Sequence, residues 1–161
     1  MSQGQPGAMF PDATLRMRDG GAVTFNDLRV RWNLIVIFLG NAPLDAPVAE
    51  HLLVLARAGG ALAAEDVKVF AVVPTRPGAV AHAWDWPAPL LLDERAALHR
   101  RVGGVNAVGE PSAAVYITDR YREIYAAFRD DQPPWPPTIE DVRDWLVFVN
   151  LHCAECNRPA W

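Results

Sequence analysis

A chain of 161 residues, about half of them apolar, is long enough to bury a full core as one domain without disulfide or metal staples. Its formal net charge of −4 excludes the basic patch that a nucleic-acid surface requires, and two cysteines cannot form a disulfide framework. No apolar run approaches a membrane span, and the opening MSQGQPGAM lacks the cationic start and apolar core of a secretory leader. Residues 1–9 therefore read as a mobile tail, and the protein as cytoplasmic, with neither membrane nor nucleic acid as a partner.

Ala13 to Met17 alternates enough for a short strand, Arg18-Asp19-Gly20-Gly21 is a turn, and Ala22 to Phe25 returns, predicting an N-terminal β-hairpin. Asn26-Asp27-Leu28 suits a single helical turn. Asn33 to Leu39 is unbroken, β-branched and apolar, the pattern of a strand covered on both faces. Gly40 and Asn41 supply a turn. Asp45 is placed to cap the following helix, with Pro47 in its first turn, where the missing N–H is harmless. A strand that delivers a turn to a helix N-terminus is where α/β proteins place chemistry, because free N–H groups stabilise an anion there. This turn holds no Cys, Ser, His or Lys.

The helix spans Ala46 to Ala64, with Val48, Leu52, Leu55 and Leu62 on one face and an interruption at Gly59-Gly60. Val67 to Val73 is a second buried strand, stopped by Pro74; Arg76 to Trp84 holds a short helix and Pro89 to Leu92 a short strand. Glu94 to Val102 is helical and ends at Gly103-Gly104. Ala113 to Thr118 and Glu123 to Phe128 pair as a hairpin through a glycine-free loop, which must be longer than a tight turn. Asp130 to Pro137 lies irregular on the surface, and Thr138 caps a last helix to about Leu151 with Glu140 and Asp141 in its first turn. The order predicts a mixed sheet with helices on both faces.

The pieces PDATLRMRDGGAVTFNDLR, NLIVIFLG, EHLLVLA, VKVFAVVP, WPAPLLLDE, EPSAAVYITDRYREIY and TIEDVRDWL cover Phe10 to about Leu151. In this order they resemble the thioredoxin superfamily, and within it the peroxiredoxin-like or redoxin branch, the alkyl hydroperoxide reductase and thiol-specific antioxidant group. The resemblance implies an α/β thioredoxin-like fold over residues 10–151, a central mixed sheet flanked by helices with an N-terminal hairpin, followed by a tail at 152–161. It also implies a reactive cysteine at the start of the helix after the central strand. That position falls at Asp45 to Val48, where Asp45, Ala46, Pro47 and Val48 offer no thiol. A second landmark of the family, a proline that is often cis before the strand after the third helix, falls on Pro111, facing the turn from Asn41 to Asp45. Asn41, Asp45, Pro47, Val48 and Pro111 thus mark a degenerate active-site region. A peroxidase of this kind needs a thiolate to attack the peroxide oxygen, so the resemblance implies a diverged redoxin without that activity.

Cys153 and Cys156 admit three readings. As a dithiol–disulfide couple they would be the catalytic pair of a thiol–disulfide oxidoreductase acting on a partner protein. Following a helix rather than opening one, they would have their thiol pKa raised by its dipole. As half of a zinc site, with His152 as a weaker ligand, they would need the second pair that a homodimer supplies. As inert cytosolic thiols they would do nothing. His51 reads as a boundary residue, His82 precedes the packing residues Trp84 and Trp86, and His99, on the basic face of ERAALHRRV, reads as solvated.

Overall fold

The computed structural model describes residues 4–75 and 86–152. In chain order its strands are β1 (Thr14–Met17), β2 (Ala22–Thr24), β3 (Asn33–Phe38), β4 (Val67–Thr75), β5 (Leu90–Glu94), β6 (Ala114–Thr118) and β7 (Ile124–Arg129). Its helices are α1 (Ala46–Arg57), the single turn α2 (Gly59–Leu62), α3 (Ala97–Arg101) and α4 (Ile139–Leu151). The seven strands form one sheet in the order β2-β1-β5-β4-β3-β6-β7. β3 is parallel to β4 and β4 to β5, while β1–β2, β1–β5, β3–β6 and β6–β7 are antiparallel. No helix among the described residues is long and apolar enough to cross a membrane.

The unbroken apolar run of β3 is explained by its place. All six of its residues are buried, because β4 and β6 flank it and both faces are covered. Alternate side chains go to opposite cores. Ile35 and Ile37 join Leu52 and Leu55 of α1 and Val142 and Leu146 of α4. Leu34, Val36 and Phe38 join Phe10, Phe25, Leu98, Val102 and Tyr116 on the other face. The expected N-terminal hairpin, the helical turn at Phe25–Leu28 and the β6–β7 hairpin are all present.

Several boundaries depart from expectation for local reasons. The long helix ends at Arg57, and the chain turns again through Gly59–Leu62, as the glycine pair foretold. β4 runs through Pro74 to Thr75 instead of stopping there. The β3–β4 ladder ends at Val72, so beyond it Pro74 faces only β5, where it sits opposite Asp93, and its missing N–H costs no bond on the vacant side. β5 continues into Glu94, and α3 begins only at Ala97, after Arg95 and Ala96 adopt positive φ. The N-terminal segment is not free along its whole length: Gly7 N–H donates to the Ile124 carbonyl at 2.8 Å, and Ile124 N–H donates to Ala8 at 2.9 Å. These bonds cover the start of the edge strand β7.

Asp130 to Pro137 is irregular, with cis peptides before Pro134 and Pro136. α4 starts with a reciprocal cap: Asp141 N–H donates to Thr138 Oγ1 at 3.1 Å, and Thr138 N–H donates to Asp141 Oδ2 at 2.8 Å. Those bonds to Thr138, backbone first, hold the Asp141 carboxyl below its ordinary value. The helix predicted over Arg76 to Trp84 falls outside the described residues, as does His82.

Candidate functional site

The C-terminal end of β3 meets the N-terminus of α1 beside the loop that leads into β6. Between them opens a cleft of about 300 Å³, lined by residues 40–45, Val48, Asn106, residues 110–113, Asp130 and Trp135. Its floor is held by close backbone approach. Asn41 N–H donates to the Pro111 carbonyl at 3.2 Å. A Cβ at Gly40 would lie 2.9 Å from that same oxygen and 3.2 Å from Ala113 N. Glycine is required here by contact with the facing strand, since only a backbone without a side chain fits.

The sequence placed Asn41, Asp45, Pro47, Val48 and Pro111 in one region, and the cleft brings four of them together: Asn41, Asp45, Val48 and Pro111. Pro47 stands in the first turn of α1, where its carbonyl accepts a bond from His51 Nδ1 at 2.8 Å. One expectation is corrected and one open question is answered. Asp45 occupies the N-cap position with extended backbone, but its side chain makes no capping bond, leaving the first N–H groups of α1 uncapped by it. The Glu110–Pro111 peptide is trans, the cis bonds among the described residues being those before Pro134 and Pro136. The chain needs no cis bond to present the Pro111 carbonyl to Asn41.

The electrostatics of the cleft are negative. Asp45, Glu110 and Asp130 line it, while among the described residues no Lys, Arg, His or Cys does. All three carboxylates are exposed to solvent. Asn106 shapes the far wall: its Oδ1 accepts from Val108 N–H at 3.1 Å and Glu110 N–H at 2.9 Å. Asp130 Oδ2 accepts from Ala113 N–H at 3.1 Å, tying the end of β7 to the start of β6. Among the described residues the lining therefore offers no nucleophilic sulfur and no cation that could stabilise a thiolate or a developing alkoxide.

Directly behind this wall sits a pair that was not foreseen. His99, expected to be solvated, is 0% exposed. Its Nδ1 lies 2.6 Å from Asp93 Oδ2, its Nε2 lies 2.9 Å from the Leu39 carbonyl, and its ring meets Phe38 edge-on at 4.8 Å. Asp93 also receives the N–H groups of Leu98 at 3.0 Å and His99 at 2.9 Å, and so caps the start of α3. Burial alone would raise the Asp93 carboxyl, but the His99 ring and these two N–H groups outweigh it and hold the carboxyl below its ordinary value. The signal in the sequence was Asp93 itself: an acid that ends the apolar run PLLLD and precedes a helix with no Ser or Thr to cap it.

Cys153 and Cys156 lie outside the described residues. His152, the exposed residue just after α4, is stacked on Phe148 at 3.9 Å with Nδ1 bonded to the Phe148 carbonyl at 2.9 Å. Among the described residues no group of three or more His, Cys, Asp or Glu is placed to hold a metal ion.

No family model matches this sequence, and no curated protein is similar to it at the sequence level. Solved structures are similar in fold. AhpC of Mycobacterium tuberculosis superposes with a TM-score of 0.72 at 17% identity, over 96% of this chain and 98% of that one. Peroxiredoxin Q of Xanthomonas campestris gives 0.66 at 14% identity, over 92% and 99%. The reduced 2-Cys peroxiredoxin of Plasmodium vivax gives 0.69 at 13% identity, over 91% and 97%. With the mixed sheet, the flanking helices and the N-terminal hairpin, these matches identify the architecture as the thioredoxin-like fold in its peroxiredoxin-like form.

Proposed function

We propose that this chain is a diverged redoxin whose β3–α1 cleft has lost peroxide reduction, and whose thiol–disulfide exchange runs through Cys153 and Cys156. The observation that carries the reading is the lining of the cleft: among the described residues, three carboxylates and no sulfur at the place where the fold presents a helix N-terminus. A peroxidatic thiolate needs a positive environment, and this one opposes it.

In the sequence the two thiols follow α4 and lie far from the β3–α1 turn. Asn33 Nδ2 donates to Asn150 Oδ1 at 2.9 Å, so the end of α4 lies by the start of β3, opposite the cleft. In exchange, one thiolate attacks a partner disulfide and forms a mixed disulfide. The second thiolate displaces the partner's sulfur, leaving Cys153 and Cys156 oxidised and the partner a dithiol.

The test compares the full chain with its Cys153→Ser/Cys156→Ser variant. Peroxide consumption in the presence of dithiothreitol should stay at the background rate for both. Reduction of insulin disulfides should be present in the first and absent in the second. Peroxide turnover that survives in the variant, or insulin reduction equal in both, refutes the reading.

A second reading is favoured by one surface. Val147, Phe148 and Leu151, in the last turns of α4, are exposed at 59%, 43% and 68%. A homodimer joined through this face would bring two tails together, and four thiolates could then share one zinc ion. Zinc at about half an equivalent per chain in a dimeric preparation supports it; a metal-free monomer removes it.

A further inference from the structure

We propose that His99 is a proton-operated clamp on the wall of the cleft: the doubly protonated ring joins Asp93 to the Leu39 carbonyl, and losing a ring proton releases the β3–α1 turn. The claim goes beyond the function proposed above and holds whatever chemistry the cleft performs. It starts from hydrogen-bond inventory. The Leu39 carbonyl can only accept, and so can the Asp93 carboxylate, whose two oxygens already take the Leu98 and His99 N–H groups. Both ring nitrogens must therefore donate, and a neutral imidazole carries only one N–H.

Once a proton is lost, the surviving N–H stays with the stronger partner. The Asp93 contact is the shorter, at 2.6 Å, and its acceptor is anionic, so Nδ1 keeps its hydrogen. Nε2 then presents a lone pair to the Leu39 oxygen at 2.9 Å, which is repulsive, with no solvent to intervene at zero exposure. Leu39 is the residue before Gly40. Its remaining local ties are its own N–H to Val72 at 2.9 Å and, two residues on, the Asn41 bond to Pro111. Freed from His99, the strand end carries its displacement into residues 40–45, which form one wall of the cleft.

Among the described residues, the charged groups around the ring are few. β5 contributes Asp93, and the neighbouring Glu94 is exposed and paired with Arg16. β3 offers only Phe38 and the Leu39 carbonyl. β6 offers Tyr116, whose hydroxyl donates to the Val102 carbonyl at 3.0 Å and whose pKa is pushed up to about 12, chiefly by burial. On α3 itself, Arg100 is exposed and bonds the Arg95 carbonyl, and Arg101 is exposed and bonds the Asp12 carbonyl at 2.7 Å. No residue on this inventory but Asp93 places a formal charge against the imidazole.

The experiment is a titration of the ¹⁵N-labelled full chain by NMR between about pH 5 and 8, the range in which imidazole changes charge. Expected is a His99 ring with both nitrogens protonated at the acid end. As it becomes a single Nδ1–H tautomer, the amides of Gly40, Asn41 and Asp45 should shift with the same midpoint. In His99→Gln the turn should show no such shift. His51, exposed on α1, stays in place in that variant, which separates any effect of its own. A ring that changes charge while the turn amides hold still, or a turn shift that persists in His99→Gln, overturns the proposal. Should the variant fail to fold, the agreement of midpoints in the unaltered chain decides the matter alone.

Discussion

His99 and Asp93 meet at 2.6 Å in a place that solvent does not reach, one ring nitrogen on the carboxylate and the other on the last carbonyl before the cleft. Through this pair β5, α3 and the end of β3 are joined by one hydrogen-bonded chain. Its carboxylate member serves at once as helix cap and as counter-charge.

The first prediction concerns acid stability. The Asp93 carboxyl is held below its ordinary value, so its contribution is present above about pH 4 and is lost as the pH falls through the lowered folded value. Urea midpoints of the unaltered chain should fall steeply below about pH 4. Asp93→Asn should flatten that fall, and Asp93→Ala should cost about 1–3 kcal/mol at neutral pH, because the Leu98 and His99 N–H groups and the ring lose a buried acceptor. A fall of unchanged steepness in Asp93→Asn would assign the acid sensitivity elsewhere.

Gly40→Ala tests the close approach beneath the cleft. The added Cβ meets the Pro111 carbonyl at 2.9 Å, and neither partner is the free end of a side chain. A loss of about 1–3 kcal/mol is expected in chemical denaturation, together with amide shifts at Asn41 and Ser112. A variant as stable as the parent would mean that the two backbones separate freely.

Asp119 offers the opposite sign to Asp93. Burial pushes its carboxyl up, against the N–H groups of Glu123 and Tyr121 that its Oδ1 accepts, each at 2.8 Å. A raised folded value means that its stabilisation is present at low pH and is lost as the pH rises through that value. Asp119→Asn keeps an acceptor for both N–H groups and removes the buried charge, so its Tm at pH 7 should equal or exceed that of the parent. Asp119→Ala strands both donors and should cost about 1–3 kcal/mol.

Restoring a sulfur to the cleft tests its electrostatics. In a Val48→Cys chain, with Cys153 and Cys156 replaced by Ser, the thiol stands in the first turn of α1 facing Asp45, Glu110 and Asp130. Adding Glu110→Gln and Asp130→Asn should lower the thiol pKa and speed alkylation by iodoacetamide at pH 7. Equal rates in the two backgrounds would show that the carboxylates do not act on that position.

The local grammar of the chain was readable directly. The apolar run Asn33–Phe38, the Arg18 to Gly21 turn, the glycine pair after Arg57 and the Thr138–Asp141 cap each depend on residues a few positions apart. For the same reason the absence of sulfur from the β3–α1 turn is plain in the sequence. What tertiary structure alone decided depends on residues distant in sequence. Pro74 stays in a strand because β3 has already ended beside it, and residues 7–9 are tied down because β7 presents an uncovered edge. His99 looked solvated because its neighbours Arg100 and Arg101 are basic, yet α3 is only one and a half turns long and turns its His inward to an acceptor 60 positions earlier. Helical periodicity reports which residues share a face, whereas a buried polar side chain is settled by the partners that the opposite wall supplies.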